Sequence, residues 1–311
     1  MSIWQTQSWQ DMLIASGQSE EYFMIERNVM SPDSSESGLE NSPIFVEKRR
    51  VSLGEYGLFV IGFEGELGID TQESLEALCK EENCLFIQVE TIDYSGEKAE
   101  NSCMKSGYYK KFIPPYTALI DLTQSEDDIL KAMKPKGRYN IKVARKKGVV
   151  VEQVDTHIGN ITKFHKLMSE TTQRDAFAGN TLEYYKVFLE SLDNAQLFFG
   201  HHDEELIAAG IFTVEGNVMT YYYGASSSNK RNLMAPYLLQ WAAIEHAKKR
   251  GLEVYDFLGV AGDDEKNSSL AGVTSFKMKL SPKKYLVSQS YIYVNKKNKY
   301  QIIKILRKLK K

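Results

Sequence analysis

The chain has 311 residues, of which 42% are hydrophobic and 26% are charged, and its net charge is −2 at pH 7. This composition is that of a globular protein, long enough for two cores of roughly 100–150 residues each. It has no run of about 18 apolar residues, and its start, MSIWQTQSWQDM, lacks the features of a signal peptide, so we expect a cytoplasmic protein without a membrane span.

Charge is distributed unevenly along the sequence. Residues 266–311 hold 13 of the 39 lysines and arginines and no acidic residue, whereas residues 1–265 hold 26 basic and all 41 acidic residues. Such a division favours a basic surface for a phosphate-bearing partner such as tRNA, a nucleotide diphosphate or an anionic lipid. A solvated basic tail without a partner is the alternative.

The cysteines and histidines indicate neither a disulfide nor a metal site. Cys79, Cys84 and Cys103 are odd in number and form no CxxC pair, and the five histidines are scattered. We therefore predict reduced thiols and no bound metal.

The first part of the chain alternates strands with a helix. Leu75, Leu78 and Cys79 share one face of the predicted helix, and the strands are apolar runs rich in β-branched and aromatic residues. The predicted strands are at 21–29, 44–51, 57–65, 84–92 and 116–122, and the helix is at 71–83.

Two helices follow the strand at 116–122. Ser125 and Asp128 form a capping-box pattern that begins the first helix, and Pro135 ends it. The second, at 137–148, is amphipathic, and the domain boundary is predicted to follow it. Its polar side carries four basic residues at i, i+4, i+7 and i+8 spacing, namely Arg138, Lys142, Arg145 and Lys146.

The second half contains one strand, two amphipathic helices, three consecutive strands, a long helix and a further strand. This order resembles the N-acetyltransferase-like (GNAT) fold, and we interpret the first half as a degenerate copy of it. The predicted elements are at 149–154, 155–171, 180–192, 195–202, 205–214, 217–226, 235–251 and 253–260.

The chain closes with a predicted strand at 285–294 and an amphipathic helix at 299–311. We expect this helix to pack on the first domain, and peripheral binding to a membrane surface is the alternative, because its other face is basic. Its apolar face consists of Ile302, Ile305, Leu306 and Leu309.

Five segments give the chain a family resemblance: PPYTALIDL, KPKGRYNIKVARKKGV, TYYYGAS, MAPYLLQWAAIEHAKKRGLEVYDFLGV and SSLAGVTSFKMKLSP. Together they resemble the Fem family of aminoacyl-tRNA-dependent transferases, which add amino acids to the stem peptide of bacterial peptidoglycan precursors in cell-wall bridge synthesis. The resemblance covers about Trp4 to Tyr285.

This resemblance implies an α/β (α+β) fold of two tandem GNAT-like domains, which we place at residues 1–148 with 296–311, and at 149–295. The coiled-coil arm of some members is absent, since YYKVFLESLDN leads directly to AQLFFG. The armless type implies a nucleotide-linked muramyl peptide as acceptor, although a lipid-linked acceptor stays open. We expect a monomer.

The resemblance also implies a set of site residues. Lys277 matches the lysine of the family's Phe-Lys motif near the transfer site, where a cation would offset an oxyanion. Tyr223 and Tyr184 match tyrosines that line the peptide site. Glu90 falls where members carry an acidic residue near the attacking amine, and we assign it to amine positioning or proton acceptance.

The chain departs from the family where armless members hold the diphosphate. It has Asp11 to Leu13 after Trp9 and Asn180 before Glu183, instead of a lysine and an arginine. Arg174 is a candidate substitute, and so is the basic run at 48–50. The basic helix, with Arg138, Lys142, Arg145 and Lys146, and the tail are the predicted tRNA surfaces.

The implied reaction needs no cofactor, because an aminoacyl ester is already activated and positioning supplies much of the rate. An acyl-CoA-dependent N-acyltransferase of the same fold is the rival enzyme. It needs a glycine-rich pyrophosphate loop, and SSSNKRNLMAPYLL has no glycine. A non-catalytic protein that binds RNA or an envelope precursor is the third reading. The amino acid that is transferred cannot be read from the sequence.

Overall fold

The computed structural model describes residues 2–26, 28–30, 39–41, 43–65, 67–94, 104–263, 268 and 270–309. The chain forms two compact units. Unit 1 comprises residues 1–113 and 286–311, and unit 2 comprises residues 114–285.

The first segment of unit 1 contains two helices and seven strands among the described residues. They follow a 3-10 helix at Ile3–Gln5, and in chain order they are α1 (Gln7–Ala15), β1 (Glu21–Ile25), β2 (Asn28–Met30), β3 (Leu39–Asn41), β4 (Ile44–Arg50), β5 (Tyr56–Phe63), α2 (Ile69–Glu81), β6 (Phe86–Thr91) and β7 (Lys105–Ser106).

Unit 2 follows, and the chain then returns to unit 1. The elements of unit 2 are β8 (Tyr116–Thr117), β9 (Leu119–Asp121), α3 (Glu126–Ala132), α4 (Pro135–Lys146), β10 (Val150–Val154), α5 (Ile158–Asp175), α6 (Leu182–Ser191), β11 (Ala195–His202), β12 (Glu205–Glu215), β13 (Val218–Ser226), a 3-10 helix at Arg231–Leu233, α7 (Ala235–Lys249), β14 (Val254–Asp256) and α8 (Ala271–Leu280). After β15 (Tyr285–Leu286) at the boundary, β16 (Ser290–Val294) and α9 (Lys297–Leu309) belong to unit 1.

The sheet of unit 1 has the strand order β1-β4-β5-β6-β16-β7. Helix α2 connects β5 to β6, and these two strands are parallel, as a helical crossover requires. The other neighbours are antiparallel. β5 and β6 are almost wholly buried, which explains their continuous apolar sequence, and α2 buries Leu75 and Cys79.

The sheet of unit 2 has the order β10-β11-β12-β13-β14-β9. Helix α7 connects the parallel pair β13 and β14, and its buried Trp241 and Ile244 lie in the unit's main hydrophobic core. Helices α5 and α6 precede the antiparallel strands β11, β12 and β13, in the order that the sequence predicts.

The two sheets repeat one arrangement. In each, three antiparallel strands lead through a crossover helix to a parallel strand, whose other side pairs with an antiparallel strand from a distant part of the chain. That last strand is β16 in unit 1 and β9 in unit 2. The predicted tandem GNAT-like fold is therefore confirmed, and α6 leads to β11 without an inserted arm.

The units divide at Ile113, whereas the sequence placed the boundary near residue 148. The difference arises because β9 pairs with β14 and α4 packs on α7 and α8, so residues 114–148 lie in unit 2. Likewise β16, which we had placed in the second domain, pairs with β6 of unit 1.

Helix α9 belongs to unit 1 through a face that the sequence did not single out. Its buried residues are Tyr300 and Ile303, while the predicted apolar face is exposed. Across the described ranges, no helix has the length and apolar character that a membrane span demands.

A tight contact between α4 and α8 gives a stability prediction. A Cβ added to Gly137 of α4 would lie 2.2 Å from the carbonyl oxygen of Lys279, whereas one added to Gly272 of α8 would meet no heavy atom within 4 Å. We expect Gly137→Ala to lower the free energy of unfolding by about 1–3 kcal/mol in urea denaturation, because the two helices must separate. Gly272→Ala is the matched control and should be neutral or slightly stabilising. Equal stability of the two variants would contradict the close approach.

Candidate active site

A β-bulge on β13 sets the positions of the tyrosines in TYYYGAS. Ile211 of β12 pairs with Tyr223 and Phe212 pairs with Tyr221, so Tyr222 is the extra residue. Residues two apart on a regular strand share a face, and a bulge interrupts that alternation. Tyr221 accordingly packs on Phe212 of the main core, while Tyr223 packs against the α6 side of the sheet.

The structure brings Tyr184 and Tyr223 together, and their place in a peptide site stays a prediction. Their hydroxyl oxygens lie 2.9 Å apart, and the side-chain amide of Asn180 donates to the Tyr223 hydroxyl at 3.4 Å. Tyr185 and Phe188 of α6 pack edge-on against the Tyr223 ring. Burial raises the pKa of Tyr223 well above its ordinary value, so its hydroxyl acts as a neutral donor and acceptor.

Arg174, near the end of α5, is held by contacts with its own chain. Its guanidinium donates to the Ser226 carbonyl at 2.7 Å, at the end of β13, and forms an ion pair with Asp175 at 2.8 Å. Thr171 also bonds both main-chain groups of Ser226. Helix α5 therefore fixes the end of β13, and Arg174 contributes to that contact.

The loop between β13 and α7 is where an acyl-CoA enzyme of this fold would need free amides for pyrophosphate. Here Glu170 accepts the Ser228 amide at 2.5 Å, and Ser227 accepts the Asn229 amide at 3.3 Å. A carboxylate already occupies part of the loop, so a second anion would be repelled. The alternative of an acyl-CoA-dependent N-acyltransferase is therefore not favoured.

Lys277 is a buried cation on α8 that donates to main-chain carbonyls. Its side chain is buried, and its ammonium donates to the carbonyls of Leu258 and Gly259, the latter at 2.8 Å. The Tyr221 ring lies 5.8 Å from the ammonium. Burial lowers the pKa of Lys277 to about 8, although the nearby Asp256 acts to raise it.

The turn that Lys277 holds follows β14 directly. Leu258 and Gly259 have positive φ values of 46° and 75°, so the chain leaves the extended strand conformation there. Asp256 accepts hydrogen bonds from the Leu258 amide at 2.8 Å and from the Thr117 hydroxyl at 2.5 Å. Neither Asp256 nor Thr117 is singled out by a sequence motif, and the one signal for Asp256 is an acidic residue within an apolar strand.

Glu90 is completely buried on β6 of unit 1 and binds main-chain amides. Its carboxylate accepts from the Phe112 amide at 3.0 Å, the Ile113 amide at 2.7 Å and the Gln88 side chain at 2.7 Å. Burial raises the pKa of Glu90 to about 7, despite these donors, which act to lower it. The carboxylate thus holds the backbone at residues 112–113 in place.

Gln88, which no sequence motif singled out, also holds the main chain of this segment. Its side chain accepts from the Tyr109 amide and donates to the Lys110 carbonyl, both at 2.6 Å. Gln88 and Glu90 are two residues apart on β6, so their side chains lie on the same face of the strand and both face the segment 109–113. The signal that would have found Gln88 is its position two residues from Glu90 in a buried run.

The four basic residues of α4 differ in their surroundings. Arg138 donates to the carbonyls of Leu130, Lys131 and Met133, so it caps the C-terminus of α3. Arg145 forms an ion pair with Glu245 at 3.0 Å. Lys142 and Lys146 are exposed. The structure therefore commits two of the four to contacts within the chain.

Two of the three residues in the basic run at 48–50 also form ion pairs within the chain. Lys48 pairs with Glu21 and Glu82, each at 2.7 Å, and Arg49 pairs with Glu47 at 2.6 Å.

Over the ranges that the structure describes, no group of three or more acidic, histidine or cysteine side chains could hold a metal ion. Cys79 and Cys84 are free and buried, and Cys103 lies outside the described residues.

The two repeated sheets define a protein of the tandem GNAT-like class. A model of the FemAB family matches residues 71–200 and 191–308. The chain belongs to the FemAB family, and the resemblance drawn from its sequence is confirmed.

Relatives and solved structures agree with this assignment. Aminoacyltransferase FemA of Staphylococcus epidermidis is 23% identical, with 76% of this chain and 78% of the relative covered. Aminoacyltransferase FemA of Staphylococcus aureus strain MRSA252 is 25% identical, with 55% and 57% covered. The crystal structure of FemX superposes with a TM-score of 0.78 at 17% identity, covering 97% of this chain and 94% of that chain. L-PGS from Bacillus licheniformis shares the fold at a TM-score of 0.58 and 13% identity, covering 96% and 91%.

The lowered pKa of Lys277 predicts a pH-dependent stability. Because the folded-state pKa of about 8 lies below the ordinary 10.5, the unfolded chain binds this proton more tightly between those values. The free energy of unfolding of the wild type, relative to Lys277→Met, should rise as the pH increases through this window and then level off. The total rise should be roughly 3 kcal/mol, as the pKa difference requires.

Chemical denaturation at several pH values measures this slope. Lys279→Met, two residues later on α8, is the matched control. If the free energy of unfolding of the wild type relative to Lys279→Met rises with pH by the same amount, Lys277 is not the source of the rise.

Proposed function

We propose that this FemAB-family aminoacyltransferase moves an amino acid from aminoacyl-tRNA to an amine of the stem peptide of a peptidoglycan precursor. The precursor is nucleotide-linked or lipid-linked, and the protein acts in the cytoplasm as a monomer. Lys277 is the observation that carries the proposal, because it is a buried cation at the position of the family's Phe-Lys motif.

The reaction itself needs few protein groups. The amine nitrogen forms a bond to the ester carbonyl carbon, the carbonyl oxygen becomes an oxyanion, and the ester bond to the terminal ribose of the tRNA then breaks. The amine loses a proton, and the leaving ribose oxygen gains one. Binding both reactants in the correct geometry supplies much of the rate.

In this scheme, Lys277 stabilises the oxyanion. An ammonium group has three donors, and the carbonyls of Leu258 and Gly259 account for two of them. The third would serve the oxyanion. Because the site is buried, where the effective dielectric constant is low, a cation there stabilises a developing negative charge more strongly than in water.

The remaining predicted residues take supporting parts in the proposal. Tyr184 and Tyr223 offer a pair of hydroxyl groups to the peptide portion of the acceptor. Glu90 acts as a positioning residue through the main chain at 112–113, because its own oxygens accept hydrogen bonds there. Lys142 and Lys146, the exposed pair on α4, contact tRNA phosphates.

Lys277→Ala should lower kcat for transfer by about 10²–10³, the usual effect of losing one oxyanion-stabilising donor. The assay follows a radiolabelled amino acid from charged total tRNA to nucleotide-linked and lipid-linked muramyl pentapeptide. Lys279→Ala on the same helix is the control and should keep wild-type kcat. Failure of the wild-type protein to label either acceptor would overturn the proposed function, and full activity of Lys277→Ala would overturn the role of Lys277.

The hydroxyl pair gives a second prediction for the same assay. Tyr184→Phe and Tyr223→Phe should each raise KM for the acceptor severalfold with little change in kcat, since both hydroxyls would contact the bound peptide. The double variant should lose less than the two single variants together, because the hydroxyls bond each other at 2.9 Å. Strictly additive effects would show that the pair does not act as a unit.

A further inference from the structure

Helix α9 exposes an apolar stripe to solvent. The stripe has i, i+3, i+4 and i+7 spacing, so its side chains lie on one face of the helix. It consists of Ile302 (53% exposed), Ile305 (58%), Leu306 (40%) and Leu309 (78%). Neighbouring apolar side chains on the surface of a folded protein usually mark a binding face.

The opposite face already attaches α9 to unit 1. Tyr300 and Ile303 are buried, and the Tyr300 ring packs edge-on against Phe86 at 5.7 Å. Arg307 donates to the Tyr109 carbonyl at 2.6 Å and lies over the Tyr109 ring. The helix therefore keeps its place in the unit without help from the apolar stripe.

The stripe has a basic border on one side. Lys308 lies three residues after Ile305 and therefore adjoins the stripe. Lys304 lies further round the helix, with its ammonium 5.8 Å from the Tyr300 ring. On that attached side, a groove of about 780 Å³ is lined by Lys105, Lys297, Lys304, Arg307 and Lys308 and by a single acidic residue, Glu76. Positive charge thus prevails from the border of the stripe to the groove.

We propose that α9 docks unit 1 on the surface of an anionic phospholipid bilayer. The stripe enters the boundary between headgroups and acyl chains, while Lys308 beside it remains at the level of the lipid phosphates. A helix of this kind lies in the plane of the bilayer and does not cross it.

Two other occupants fit the same observations less well. RNA would use the lysines, but burial of Ile302, Ile305 and Leu309 adds nothing to phosphate contacts. A second copy of the chain would cover the stripe, but it would bring two sets of lysines against each other. An anionic bilayer satisfies the stripe and the lysines together.

Flotation with phospholipid vesicles tests the proposal, without tRNA or acceptor, so its outcome does not depend on the proposed transfer reaction. The vesicles are phosphatidylcholine alone, or phosphatidylcholine mixed with an equal part of phosphatidylglycerol. Wild-type protein should float with the anionic vesicles, and added salt should reduce the bound fraction.

The apolar variant is Ile302→Gln with Ile305→Gln and Leu309→Gln, which should lower the partition coefficient at least about tenfold. Its matched control changes three equally exposed apolar residues elsewhere, Met24, Leu53 and Val150, each to glutamine, and should bind as the wild type does. Lys308→Gln should weaken binding roughly fivefold, whereas Lys304→Gln, on the side of the groove, should weaken it less.

Several results would overturn the proposal. They are failure of the wild type to bind anionic vesicles, retained binding by the apolar variant, and equal loss in the matched control. Sedimentation and a tRNA gel shift complete the test: loss of a wild-type dimer in the apolar variant, without vesicle binding, would assign the stripe to a second copy. Loss of tRNA binding in the lysine variants alone, again without vesicle binding, would assign the surface to RNA.

Discussion

The hydrogen bonds from Lys277 to the carbonyls of Leu258 and Gly259 are the constraint on which the candidate site depends. These carbonyls lie in a left-handed turn that directly follows β14, and the buried ammonium is their donor. The turn is also tied to the sheet, since Asp256 accepts the Leu258 amide and the Thr117 hydroxyl. Helix α8 holds Lys277 in position because it packs on α4, where Gly137 permits close contact. A displacement of α8 would therefore move the cation and release the turn.

Unit 1 contains a similar contact between a buried charged side chain and the main chain, but with the opposite charge. Glu90 lies on β6, the strand that corresponds to β14 in the repeated arrangement, and it accepts main-chain amides where Lys277 donates to main-chain carbonyls. A buried charge without partners would destabilise either unit by several kcal/mol, so each is satisfied by the backbone of the segment that it holds. In both units, a charge next to the crossover strand fixes an irregular segment. Such segments can then be positioned as accurately as the strands themselves.

Much of the fold could be predicted because it depends on local pattern. Periodicity and capping residues predicted the two helices at 155–171 and 180–192 and the three strands that follow, and the structure has α5, α6, β11, β12 and β13 there. The division of the units could not be predicted in this way. It depends on β9 and β16, short strands that pair with partners more than 100 residues away, and no local signal encodes that pairing. Helix α8 was also missed, because AGVTSFKMKL mixes glycine and β-branched residues with lysines and has no clear apolar period.

The candidate site residues show the same distinction between what local pattern predicts and what long-range contacts decide. The sequence could place Tyr184 and Tyr223 on neighbouring elements, but their contact depends on the bulge at Tyr222, which only the strand register reveals. For α4, helical spacing grouped four basic residues correctly, yet it could not show that Arg138 caps α3 or that Arg145 pairs with Glu245. The amphipathic pattern of α9 left packing on unit 1 and membrane binding as alternatives, and it could not show that Tyr300 and Ile303 attach the helix while the apolar stripe stays exposed. Residues 1–265 carry 15 more acidic than basic residues and are repelled from an anionic surface. At physiological salt, however, charges act over only about 8 Å, so Lys308 beside the stripe has more effect on the approach of α9 to a bilayer than distant carboxylates have.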